Sequence, residues 1–109
     1  MAKKFIEFDS VVSFIAGQSD DAKIEYHKIV DMLENSGRLS MPFGEKLPRK
    51  NMFVIRVIHA ANFRVFYVYG KGDFIYGISA YEKKTQTIPI HEMKHALKIA
   101  SELKARGLI

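Results

Sequence analysis

The chain has no cysteine among its 109 residues, so no disulfide framework and no thiolate zinc site is possible. No run of apolar residues approaches the roughly 18 that a membrane-spanning helix needs. The first ten residues, MAKKFIEFDS, hold two lysines but no apolar stretch of signal-peptide length. These absences lead to the expectation of a cytoplasmic protein without a membrane partner. Repeats and low-complexity segments are also absent. Carboxylates are scarce in one part of the chain: residues 46–109 carry twelve Lys and Arg but only four Asp and Glu, a net of +8. Residues 1–45 carry five and eight, a net of −3. A cationic half of this kind suits an anionic partner, nucleic acid above all, although a solvated basic face has the same composition.

What is present is a core. Hydrophobic residues make up 48% of the chain, which excludes disorder, and the length suits a single domain over 1–109. Residues 3–9, KKFIEFD, alternate as a short or edge strand. DSVVSFIAG reads as a short helix with Asp9 or Ser10 as N-cap and Gly17 as stop. A second helix is expected over 20–36, capped by Ser19 or Asp20, with acids in its first turn, Gly37 at its end and an apolar face of Ile24, Ile29, Val30 and Leu33. Residues 38–51 hold two prolines and four basic residues and read as a loop. Runs 52–59, 62–70 and 73–82 are rich in Val, Ile, Phe and Tyr with hairpin-length gaps, which predicts three antiparallel strands. Pro89 opens a last helix over 90–106, striped by Ile90, Met93, Leu97, Ala100 and Leu103. The sum is an α+β fold: a small twisted antiparallel sheet, two N-terminal helices and a C-terminal helix.

The segment IHEMKHAL contains His91, Glu92 and His95 in the H-E-x-x-H spacing of zinc proteases. On the expected helix both imidazoles lie opposite the apolar stripe, toward solvent, with Lys94 and Lys98 beside them. A polar helix face explains the pattern better than a buried zinc centre, and no metal or other cofactor is expected.

The stronger pattern is cationic and aromatic. Strand alternation puts Arg64 with Phe66 and Val68 on one face and Phe63, Val65, Tyr67 and Tyr69 on the other. Arg56 shares a face with Val54 and Ile58. An arginine inside an apolar strand is costly to bury without a partner; that partner is a carboxylate such as Glu45 or Glu82, or a phosphate, which the guanidinium fork fits. One of Lys83 and Lys84 must point to the Arg64 side if the strand persists. Lys46, Arg49 and Lys50 lie next to the start of the sheet, and Tyr67, Tyr69 and Tyr81 offer rings to stack on unpaired bases.

The segments LENSGRLSMPFGEKLPRKNMFVIRV, FRVFYVYG and AYEKKTQTIPIHEMKHALK, spanning roughly residues 30–100 in order, resemble the RelE/HigB-type toxins of bacterial type II toxin–antitoxin systems, in particular the phage-associated subgroup of the RelE/ParE superfamily. The Lys-Lys-Thr turn leading to Pro89 is the most distinctive part, and Glu92 and Ala96 fill positions that the subgroup's helix usually gives to an acid and an alanine. The resemblance implies the RelE/ParE-like fold and a metal-independent endoribonuclease that cuts mRNA on the ribosome and is silenced by a cognate antitoxin. It assigns Arg56 and Arg64 to the phosphate, Lys83 or Lys84 to proton transfer or charge neutralisation, Lys46 to the family's loop lysine and Tyr67 to a base or the phosphate; Arg49, Lys50 and Tyr81 join the RNA-binding set from the charge and aromatic pattern. Ala80 stands where the subgroup commonly has a glycine, and no histidine ends the last strand, where some relatives place a base. The gyrase-poisoning branch of the superfamily and a non-catalytic phage-derived binding module are the alternatives.

Overall fold

The computed structural model describes residues 2–48 and 51–109. Eight elements follow in order: β1 (Lys4–Glu7), α1 (Asp9–Ala16), α2 (Asp20–Ser36), β2 (Gly44–Lys46), β3 (Phe53–Val57), β4 (Phe63–Tyr69), β5 (Phe74–Glu82) and α3 (Ile90–Ala105). The architecture is α+β, as expected from the pattern.

The helix expected over 20–36 forms with those bounds, because both its ends are satisfied. The Ala22 N–H donates to the Ser19 hydroxyl at 3.2 Å, and Gly37 takes a left-handed φ of 79° while its N–H closes on the Leu33 carbonyl. Its buried stripe is Ala22, Tyr26, Ile29 and Leu33. Ile24, expected on that face, is exposed. In α1, Asp9 sits inside the first turn and no side chain caps the helix.

Five strands form one sheet in the order β1-β5-β4-β3-β2. The three hairpin-linked strands β3, β4 and β5 pair antiparallel. Two features depart from the expected sheet. β1 joins β5 in parallel, Lys4 opposite Phe74, so the sheet is mixed. Within the expected loop, Gly44–Lys46 adds a short antiparallel edge strand to β3. Three residues next to prolines carry no strand signal of their own; β3 supplies the ladder they complete.

Alternation gives the sheet two apolar faces, and each is covered differently. On one, α1 and α2 bring Val11, Ile15, Tyr26, Ile29 and Leu33 against Ile55, Val57, Phe63, Val65, Tyr67 and Ile75. On the other, α3 brings Ala96 and Leu103 against Phe66, Val68 and Ile78. One carboxylate ties the first layer down. Glu25 on α2 accepts from the backbone N–H groups of Ile58, His59 and Ala60, the turn between β3 and β4, at 2.7–3.2 Å. Burial pushes this carboxyl up, but the three amides outweigh it and hold it below the usual carboxylate range.

Candidate functional site

β5 carries one extra residue relative to β4. The pairing runs Phe63 with Glu82, Arg64 with Tyr81, Val65 with Ala80 and Phe66 with Ser79, then jumps to Tyr67 with Gly77. Ile78 is the residue left over, a β-bulge. Its effect reaches to the strand end. With unbroken register from Tyr69 and Ile75, Ala80 would lie opposite Arg64 and Tyr81 would turn to the other face. The bulge instead sets Tyr81 beside Arg64. Continuing the alternation sets Lys83 there too, its N–H held by the Asn62 carbonyl at 2.9 Å.

Arg56 and Arg64 are direct cross-strand partners, so both guanidinium stems rise from the same face. Arg64 is 5% exposed. Its Nη1 donates to the Phe63 carbonyl at 3.1 Å and to the Asn62 side-chain oxygen at 3.4 Å. Among the described residues no carboxylate lies within salt-bridge distance of it. Burial, and then the charge of Arg56, pull the Arg64 pKa down, while Tyr81 and Glu45 oppose the shift. The two like charges stand side by side with Glu45 as the one opposite charge lining the cleft among the described residues, and no carboxylate bonds the Arg64 fork.

A cleft of about 440 Å³ opens where α3 stops covering the sheet. Val54, Arg64 and Tyr81 line its sheet side, Leu47 and Pro48 one wall, and Ile88 and Met93 the other. Glu45 and Lys83 also line it. The Tyr81 ring stacks on Phe66, with centroids 5.4 Å apart. Burial pushes the Tyr81 hydroxyl up, against the pull of Arg64, so at neutral pH it is a hydrogen-bond donor and not a phenolate.

The structure sorts the residues expected at the site. Arg64, Tyr81 and Lys83 meet in the cleft. Arg56 does not line it: its Nη1 donates to the Pro42 carbonyl at 3.0 Å and touches the Met41 sulfur at 3.5 Å, while its buried Nε has no hydrogen-bond partner. Arg56 therefore reaches the cleft only through its charge on Arg64. Lys84 falls outside the cleft, on a neighbouring hollow. Lys46 is opposite Phe53 in the β2–β3 register, which puts it on the helix-covered side of the sheet, and Glu45, one residue earlier, takes the cleft side. Tyr67 is a correction of the same kind: it is 1% exposed, stacked on Phe53 under α1 and α2, and offers no ring to a base. Tyr81 lines the cleft, but a stacking role is likewise corrected, since its ring already lies on Phe66 and is 4% exposed. Arg49 and Lys50 lie outside the described residues. Glu45, weighed from the sequence as a partner for the arginines, lines the cleft, and Asn62, Gln86 and Thr87 are polar neighbours of the site that the pattern did not single out. Only the register of β2 and the reach of the turn after β5 bring them there.

His91 and His95 are both exposed on the outer side of α3, and His91 makes a long contact with Glu92 at 4.0 Å. Among the described residues no group of three or more His, Cys, Asp or Glu is placed to hold a metal ion. Nor is any described helix long and apolar enough to cross a membrane.

Fold and site together define a small α+β domain with an arginine-floored cleft. The chain belongs to the family of phage-derived Gp49-like proteins (DUF891), which it matches over residues 13–101. The match takes in every cleft residue named above. No curated protein matches the sequence significantly.

Proposed function

We propose that this Gp49-like domain is the mRNA-cleaving toxin of a toxin–antitoxin pair, an endoribonuclease acting on ribosome-bound message without a metal. The observation that carries the reading is Arg64: a nearly buried guanidinium, repelled by Arg56 and without a carboxylate partner among the described residues, forming the floor of an open cleft. A structural arginine would have an acid on its fork. This one has room for a phosphate, with Lys83 and the Tyr81 hydroxyl beside it.

In the reaction the ribose 2′-oxygen attacks the adjacent phosphorus as the bond to the 5′-oxygen breaks, leaving a 2′,3′-cyclic phosphate and a 5′-hydroxyl. Charge grows on the non-bridging oxygens in the transition state, where Arg64 and the Tyr81 hydroxyl meet it and Arg56 adds its field from behind. Lys83 neutralises or protonates the departing 5′-oxygen. Glu45, the one carboxylate lining the cleft among the described residues, takes the 2′-hydroxyl proton. The apolar walls from Leu47, Ile88 and Met93 suit the flat faces of a base. The cationic half of the chain draws in the message and also an acidic or amphipathic antitoxin segment that covers the cleft.

Induction of the chain alone in a bacterium tests the proposal. Growth stops and messages shorten, and the combined change Arg56→Ala, Arg64→Ala, Lys83→Ala abolishes both in a protein that still folds. Arrest with intact messages and double-strand DNA breaks would assign the chain to the gyrase-poisoning branch. No arrest and no cleavage of ribosome-bound message would leave a binding module.

A further inference from the structure

The turn that follows β5 forms a second hollow, about 280 Å³, lined by Asn62, Lys83, Lys84, Thr85 and Gln86. It shares Lys83 and Gln86 with the main cleft, so the two are neighbours along one path. Its character differs from that of the cleft. All five lining residues are polar, two are cationic, and no carboxylate is among them.

The turn is braced from within. The Lys83 N–H donates to the Asn62 carbonyl at 2.9 Å, the Asn62 side-chain amide donates back to the Lys83 carbonyl at 3.3 Å, and the Thr85 hydroxyl donates to the Thr87 carbonyl at 2.7 Å. The Asn62 side-chain oxygen meanwhile accepts from Arg64 at 3.4 Å. Asn62 thus links the buried arginine of the cleft to the turn that carries both lysines. With Thr85 and Asn62 engaged inside the protein, and Lys83 and Gln86 shared with the main cleft, Lys84 is the donor that lines this hollow alone.

We infer that this hollow is a second phosphate subsite, which holds the backbone phosphate next to the scissile one, and that Lys84 binds the RNA there without taking part in the chemistry. The inference rests on the ribonuclease reading above. A lone phosphate in the cleft would need only Arg64 and Lys83. A strand that continues past it must lay its next charge on the adjoining surface, and the adjoining surface on this side is the lysine-lined turn. Asn62 is a positioning residue in this arrangement: it fixes the distance between the two anion sites.

Two oligoribonucleotides made uncleavable by 2′-deoxy substitution at the scissile position test the inference, a dinucleotide with one bridging phosphate and a tetranucleotide with three. Their binding is followed by fluorescence anisotropy across a salt series. The intact protein binds the longer one more tightly. Lys84→Ala, at an exposed position, removes that gain, leaves dinucleotide affinity unchanged and lowers the slope of log K against log salt by about 0.7, the share of one single-strand phosphate. Lys84→Arg restores it. In cleavage of ribosome-bound message the same Lys84→Ala raises KM with kcat preserved. A fall in kcat at constant KM would make Lys84 catalytic and overturn the subsite. Equal affinities of Lys84→Ala and the intact protein for both oligonucleotides, in a protein that does cleave RNA, would overturn the subsite alone. Failure to bind or cleave any RNA would overturn the subsite together with the reading it rests on.

Discussion

The two faces of the sheet are built from the same alternating strands, yet one is closed and the other half open. The first is sealed by α1 and α2, and every large side chain there finds apolar company. The second has only α3, which reaches Phe66, Val68 and Ile78 and leaves the Arg56–Arg64 end uncovered. The chain spends two helices on stability and one on leaving a gap. A charge buried without partners on the closed face would destabilise the fold; on the open face it becomes the candidate chemistry. Burial therefore means different things on the two sides. Tyr67 and Arg64 are both nearly inaccessible, but Tyr67 packs within the core under two helices and Arg64 lines a cleft.

That contrast can be broken from either side. The largest effect is expected on the closed face. Phe63→Ala removes a ring set edge-on to Phe14 at 5.2 Å and should cost about 3–5 kcal/mol in chemical denaturation, enough to unfold much of the population. Next comes Arg64→Ala on the open face, with cleavage slowed by about 10²–10³, equivalent to about 2.7–4 kcal/mol in the transition state, and a nearly unchanged denaturation midpoint. An Arg64→Ala protein that unfolds as Phe63→Ala does would erase the distinction between the faces.

A smaller effect is expected at Glu25, whose carboxylate pins the β3–β4 turn from the closed side. Because its folded pKa is depressed, its contribution is present above the ordinary carboxylate range and is lost as pH falls through the folded value. Glu25→Gln should thus lower stability by about 1 kcal/mol at neutral pH, the site being partly open to water, and the gap from the intact protein should close in acid. The smallest effect concerns the outer side of α3. His91→Ala with His95→Ala, or chelation by EDTA, should leave message cleavage within a few-fold. Complete loss on chelation, reversed by zinc, would move the chemistry to that helix.

Much of this division was legible in the sequence. Ser19 and Gly37 mark the ends of α2 because capping is local chemistry. The hairpins follow from short gaps between β-rich runs, and Arg64 separates from Tyr67 by simple alternation. Alternation does not say which face the helices cover, and for that reason Tyr67 was expected at the RNA and lies in the core. Lys46 and Glu45 exchange places for a similar reason: β2 exists only by pairing with β3, so its facing has no local signature. The bulge at Ile78 is the costliest omission. A single unpaired residue decides whether Tyr81 or Ala80 stands beside Arg64, and no pattern within IYGISAYE announces it.

The parallel pairing of β1 with β5 also orders events in time. Lys4–Glu7 is made first, and its partner Phe74–Gly77 about seventy residues later, so the sheet's longest-range contact closes last during synthesis. Until β3, β4 and β5 have emerged, α1 and α2 have no surface on which to bury Val11, Tyr26 and Leu33. The nascent chain therefore holds two helices with their apolar sides bare until those strands arrive. A message broken before the codon for Gly77 yields a substrate for chaperones and proteases, not a weakened domain, and the cleft assembles only once β5 and the turn after it have been made.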